Sequence, residues 1–176
     1  VRVKDMNGRL VKEWSGGKQT FAPDETREIS ASSHLTGLNF WSWGYGYLYT
    51  VETALLENGK VIDEVTTRTG FRKTAFRNGM IWLNDRVTMI HGYAARTTNE
   101  WPALGMNMPP WLSDYSNRLR VESGGNLARW MHITPSKQDS DSSDRVGLMQ
   151  AMPAGDSERD VSGRQWRGRQ VSRSDQ

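Results

Sequence analysis

The spacing of apolar residues changes character once along this chain, and that change restricts the fold more than any other feature. Up to Phe76 the chain is punctuated like a β domain. Asn7-Gly8 lies between VRV and LVKEW, and Asn58-Gly59 lies between LYTVETALL and KVIDEVTT. An Asn-Gly pair between β-prone runs signals a hairpin, because the tight turns that match strand twist require positive φ, which these two residues tolerate. Two hairpins are expected. In the second, Tyr49, Val51, Thr53 and Leu55 share one face by the two-residue strand period, with Val61 and Val65 near them across the ladder. One face of that sheet is expected to be buried.

After GFRKTAF the rhythm differs. MIWLNDRVTMIHG reads as a short hairpin turning at Asn84-Asp85 and running on into a strand through Val87, Met89 and Ile90. Pro109 and Pro110 suit a helix start; Trp111, Tyr115 and Leu119 recur every four residues as on one buried face, and Gly124-Gly125 stop the helix. NLARWMH is then a second strand, SKQDSDSSDRVG a second helix with Ser136 as its N-cap, and LMQAMPAG a third strand. Strands alternating with helices imply a parallel sheet with right-handed crossovers. The fold class expected is therefore multidomain, β and then α/β, with the boundary near residues 72–80. The DSDSSD run is nearly all polar and predicts poor packing of the second helix.

With 176 residues the chain holds one ordinary domain or two small ones. It has no Cys, which excludes disulfides and thiolate metal sites, and His34, His91 and His132 do not form a zinc pattern. No metal and no cofactor are expected. No apolar run approaches the ~18 residues of a membrane span, so no membrane partner is expected; the opening VRVKDMNG lacks an initiator Met and the pattern of a signal peptide. A net charge of +3 raises nucleic-acid binding, but many basic residues, Arg164, Arg167, Arg169 and Arg173, sit irregularly in the C-terminal stretch. A solvated terminus, and no nucleic-acid partner, is the expectation.

Several stretches in order, FWSWGYGYLYTVETAL, ENGKVIDE, TRTGFRK, IWLNDRVTMIHG, NLARWMHITP and SSDRVGLMQAMPAG, resemble glycoside hydrolase family 2, over roughly residues 35 to 155. The resemblance implies an immunoglobulin-like β-sandwich over residues 1–76. Residues 77–176 would then be the start of a (β/α)8 TIM barrel with strands VTMIHGYA, LARWMH and LMQAMPA, and a polar tail from about residue 156. It also implies hydrolysis of terminal β-linked sugars with retention, and a carbohydrate as partner. In such barrels the site lies at the C-terminal ends of the strands, so Arg129 and His132 would face the sugar. A buried hydrogen-bonded pair remains the bland alternative for these two. The family's Gly-x-Asn-x-His pattern is replaced here by HGYAARTTNEW, which makes Arg96, Glu100 and Trp101 the substitutes by position: a donor, an acceptor and an aromatic plate.

A retaining glycosidase needs two carboxyl groups about 5–5.5 Å apart. In the resembling family they come from later strands, so no catalytic residue is expected here. Asp156, Glu158 and Asp160 in GDSERDVSG read as a solvated loop, and Asp114 and Asp144 as exposed helix residues. The chain would be a portion of the enzyme that needs the rest of the barrel, or self-association, to cover open sheet edges. A second class is a noncatalytic carbohydrate-binding β-sandwich, in which Trp41, Trp43, Tyr45, Tyr47 and Tyr49 form a flat stacking platform instead of core.

Overall fold

The computed structural model describes residues 1–96, 102–104, 108–131 and 134–152. The chain divides into two compact units, Val1–Met89 and Ile90–Gln176.

The first unit is all β. Strands β1 (Arg2–Lys4), β2 (Leu10–Glu13), β3 (Tyr49–Glu57) and β4 (Lys60–Thr69) form an antiparallel sheet in the order β2-β1-β3-β4. Both expected hairpins are present. At Asn58-Gly59 both residues take positive φ, 50° and 80°. At Asn7-Gly8 only Gly8 does. There the Asp5 carboxylate closes the turn by accepting from the backbone N–H of Asn7 and Arg9, each at 2.9 Å. The remaining strands, β5 (Thr74–Arg77), β6 (Met80–Leu83) and β7 (Arg86–Val87), make a small antiparallel sheet. Its Asn84-Asp85 turn stands where expected, and a further Asn-Gly pair, Asn78-Gly79, closes β5 onto β6 by the same positive-φ chemistry.

Two expectations for this unit are corrected. Tyr49 is buried, but Leu55, Val61 and Val65 are exposed, so burial is confined to the base of the β3–β4 hairpin, where Val3, Trp41 and Leu48 are also buried. Nor does the strand after Asn84-Asp85 run on through Ile90: β7 stops at Val87, Met89 is exposed, and the next ladder begins at Gly92. The break has a cause in Asn126, whose Oδ1 accepts from the His91 N–H at 2.9 Å and holds that residue at the foot of a different sheet.

The second unit alternates as expected. Strands β8 (Gly92–Ala95), β9 (Leu127–Trp130) and β10 (Met149–Ala151) are parallel in the order β10-β9-β8, with α1 (Pro110–Glu122) and α2 (Lys137–Val146) between them in sequence. Pro occupies the first position of α1. Ser136 caps α2 in a capping box with Asp139, and Gly147 ends it at φ 75°. Ala95, Ala128, Trp130 and Leu148 form the core, with Val121 of α1 and Val146 of α2 packed on them.

The helices, however, bury other faces than their apolar periodicity suggests. Trp111, Tyr115 and Leu119 are 63%, 51% and 45% exposed, while Leu112, Ser113 and Asn117 are buried. The polar run of α2 packs well: Asp139, Ser142 and Ser143 are buried against α1. Ser113 Oγ donates to Asp139 Oδ1 at 2.7 Å, and Asn117 Nδ2 reaches the Asp139 carbonyl and Ser143 Oγ, each at 3.4 Å. A polar helix face can be buried when its groups are hydrogen-bonded, and here Ser113 and Asn117 of α1 meet Asp139 and Ser143 of α2. Asp114, expected to be exposed, is half-buried and pairs with Arg145 at 2.6 Å.

Candidate substrate-binding face

A strand sends successive side chains to opposite sides, and β9 sorts its residues cleanly. Ala128 and Trp130 face the helices and are buried; Arg129, between them, is exposed on the face that carries neither α1 nor α2. Trp130 is fixed there by its indole N–H, which donates to Gln150 Oε1 at 2.7 Å, and by the Arg120 guanidinium 5.8 Å from its ring centre.

The register decides what surrounds Arg129. Its cross-strand neighbours are Ala94 on β8 and Ala151 on β10. Two alanine side chains thus flank a long guanidinium along this face of the sheet. One donor of Arg129, Nη1, lies 3.3 Å from Met131 Sδ. Arg96 is exposed immediately after β8, and the Met131 N–H still donates to the Ala95 carbonyl at 3.0 Å, so β9 continues beside that strand end. Arg96 and Arg129 thus stand at the same end of adjacent strands. Glu100, Trp101 and His132 lie outside the described residues, as do Asp156, Glu158 and Asp160.

At the opposite end, buried Asn126 ties the sheet together. Its backbone N–H donates to His91 and its carbonyl accepts from Met149, at 2.9 and 3.0 Å. Neither this clamp nor the alanine pair was legible beforehand, because both depend on which residues the register brings opposite. Asp139 was missed too, though a local signal for it stood in the sequence: Ser followed three residues later by an acid marks a capping box.

The aromatic run of the first unit does not make a flat platform. Trp41 and Tyr49 are 6% and 3% exposed, and Gly70 fits against Trp41 so closely that an added Cβ would stand 2.9 Å from its Cβ. Tyr45, Tyr47, Tyr49 and Phe71 follow one another at 5.1–5.7 Å but tilted by 35°, 53° and 63°. Tilted rings at such spacings are how aromatics pack in a core, whereas a sugar face needs coplanar rings. Only Trp43 and Tyr45 of the five are largely exposed.

Among the described residues no group of three or more His, Asp or Glu could hold a metal ion, and no helix is long and apolar enough to cross a membrane.

The family model described as Glycosyl hydrolases family 2 matches residues 1–72. The likeness is to glycoside hydrolase family 2. A β-glucuronidase of Formosa agariphila is 29% identical over 167 residues, which cover 94% of this chain. A β-galactosidase of Thermoanaerobacter pseudethanolicus is 28% identical over 111 residues, or 62% of the chain. The chain spans 17% and 15% of the lengths of these two relatives. Among solved structures, a family 2 member from Bacteroides cellulosilyticus superposes with a TM-score of 0.71 at 27% identity, over 86% of this chain and 21% of that one. A β-glucuronidase from Ruminococcus gnavus shares the fold, with a TM-score of 0.71 at 20% identity over 86% of this chain and 24% of its own. The likeness to family 2 therefore extends past the matched β region, into the unit that carries Arg96 and Arg129.

Proposed function

We propose that this chain is part of a retaining glycosidase acting on terminal β-linked sugars. In this reading residues 1–76 are an immunoglobulin-like sandwich domain, and residues from 77 onward are the first three βα units of a (β/α)8 barrel. Arg96, Glu100, Trp101, Arg129 and His132 line the sugar subsite.

The observation that carries the reading is Arg129, exposed on the face opposite α1 and α2 of a parallel sheet, between Ala94 and Ala151, at the strand ends where barrel enzymes place their sites. A guanidinium offers a rigid fork of five donors, suited to sugar hydroxyls or to a carboxylate in the site. The barrel is supported by the unpaired outer sides of β8 and β10 among the described residues, and by the Trp111, Tyr115 and Leu119 stripe, which a further helix of a closed ring would cover. The carboxyl pair that retention requires, about 5–5.5 Å apart, is assigned to other strands of that barrel. The names of the relatives make β-glucuronides and β-galactosides the first substrates to try.

The purified 176-residue chain, shown to be folded by circular dichroism, is expected to give no turnover on chromogenic β-galactosides, β-glucuronides and β-mannosides. In the same preparation, titration with the matching methyl glycosides should shift amide resonances in β9, and Arg129→Ala should abolish those shifts without loss of fold. Shifts that survive Arg129→Ala would remove Arg129 from the subsite. Turnover that disappears in Glu100→Gln or Asp156→Asn would place the catalytic carboxylates within this chain and overturn the assignment.

A further inference from the structure

We propose that β4 is the pairing edge of a symmetric dimer of this chain, two copies of the strand running antiparallel about Thr66. This inference is independent of the glycosidase reading, because it rests on the first unit alone.

Strand β4 is ten residues long, lies at the outside of its sheet, and is exposed at every position but the last. Among the described residues it pairs only with β3, so alternate backbone N–H and C=O groups point outward as a template for another strand. Val61, Ile62 and Val65 are all exposed on it.

Self-pairing is favoured by the charges. In a two-fold antiparallel pair, opposed residues share a face, so each possible register is centred on one residue that meets its own copy. Centring on Glu64 sets two carboxylates against each other and Lys60 against Arg68. Centring on Asp63 opposes two aspartates. Centring on Val65 or Thr67 matches no charges. Centring on Ile62 joins Lys60 to Glu64 but uses only the short end of the strand, beside the irregularity at Leu55/Leu56. Centring on Thr66 opposes Glu64 to Arg68 twice, sets Val65 against Thr67 twice, and runs from Asp63 to Thr69.

That register also continues an existing pattern. Glu64, Thr66 and Arg68 stand opposite Ala54, Glu52 and Thr50 of β3, and Glu52 already bridges to Lys4 of β1 at 2.5 Å. The same face of the sheet would carry alternating charges through the two-fold into the second copy. Such a pairing is closed, since each copy uses its only β4 edge, so it caps the strand and does not propagate.

Sedimentation velocity on the full chain should show a concentration-dependent dimer. Glu64→Arg and Arg68→Glu should each weaken it, raising the dimer dissociation constant about tenfold, because each variant replaces two attractive cross-strand pairs with two repulsive ones. Mixed one to one, the two variants should dimerise again: the arginines of one then face the glutamates of the other. The chain has no cysteine, so oxidised Thr66→Cys should crosslink to its own counterpart and Lys60→Cys should not. A wild-type monomer, single variants that dimerise normally, a folded mixture that stays monomeric, or Thr66→Cys that fails to crosslink would each overturn the proposal.

Discussion

Asp139 joins helices α1 and α2 of the second unit. Its carboxylate accepts from the Ser136 hydroxyl at 2.8 Å and from Ser113 at 2.7 Å, while its own N–H donates to Ser136 Oγ at 3.2 Å. It closes the N-terminus of α2 and holds α1 at once. Asp139→Ala removes the reciprocal half of the cap and strands the buried Ser113 hydroxyl without its acceptor, so a loss of about 2–3 kcal/mol is expected. Urea denaturation followed by near-ultraviolet circular dichroism measures it, and a loss below about 1 kcal/mol would mean that the pair of helices is held by its apolar contacts. The cap half of this role follows from sequence, because a capping box is a three-residue relation. The Ser113 half does not, since Ser113 is 26 residues away.

The contact between α1 and α2 shows why apolar periodicity misassigned a helix face. Trp111, Tyr115 and Leu119 form a regular stripe, yet the positions that meet α2 are Ser113, Asp114 and Asn117, whose partners are Asp139, Arg145 and Ser143. Hydrogen bonding decided the orientation, and such bonding cannot be counted until the neighbour is known. Asp114 makes this contact pH-dependent. Burial works to raise its carboxyl, but the Ser142 hydroxyl, the hydrogen bond and charge of Arg145 and the charge of Arg118 outweigh it and hold the group below its ordinary value of 3.8. A lowered value in the folded state means that the stabilisation is fully present above the ordinary value and is lost as the pH falls through the folded one. Thermal melts between pH 7 and pH 2 should therefore show a destabilisation of the second unit on acidification that is smaller in Asp114→Asn. An unchanged profile in that variant would show that the pair with Arg145 contributes nothing to acid sensitivity. As a half-exposed pair its share is expected to be under about 1 kcal/mol.

At the scale of the whole molecule the chain divides into two compact units. Val3, Trp41, Leu48, Tyr49 and Leu83 are buried in the first, and Ala95, Ala128, Trp130 and Leu148 form a core in the second. Two compact units predict two calorimetric transitions. Gly70→Ala, which forces a Cβ against Trp41, should lower only one of them, and Asp139→Ala only the other. A single transition moved by both variants would show that the units melt as one. The turns at Asn58-Gly59 and Asn84-Asp85, the Pro start of α1, the Ser136 cap and the alternation of strands and helices after Phe76 could all be read from the order of residues. All of these rest on φ preferences or on hydrogen bonds between residues a few positions apart, which the chain carries wherever it folds. Tertiary structure alone decided that the β3–β4 hairpin buries only its base, that α1 turns its polar side inward, and that Arg129 stands between two alanines. Those outcomes depend on which distant residues become neighbours, and sequence spacing contains no record of register.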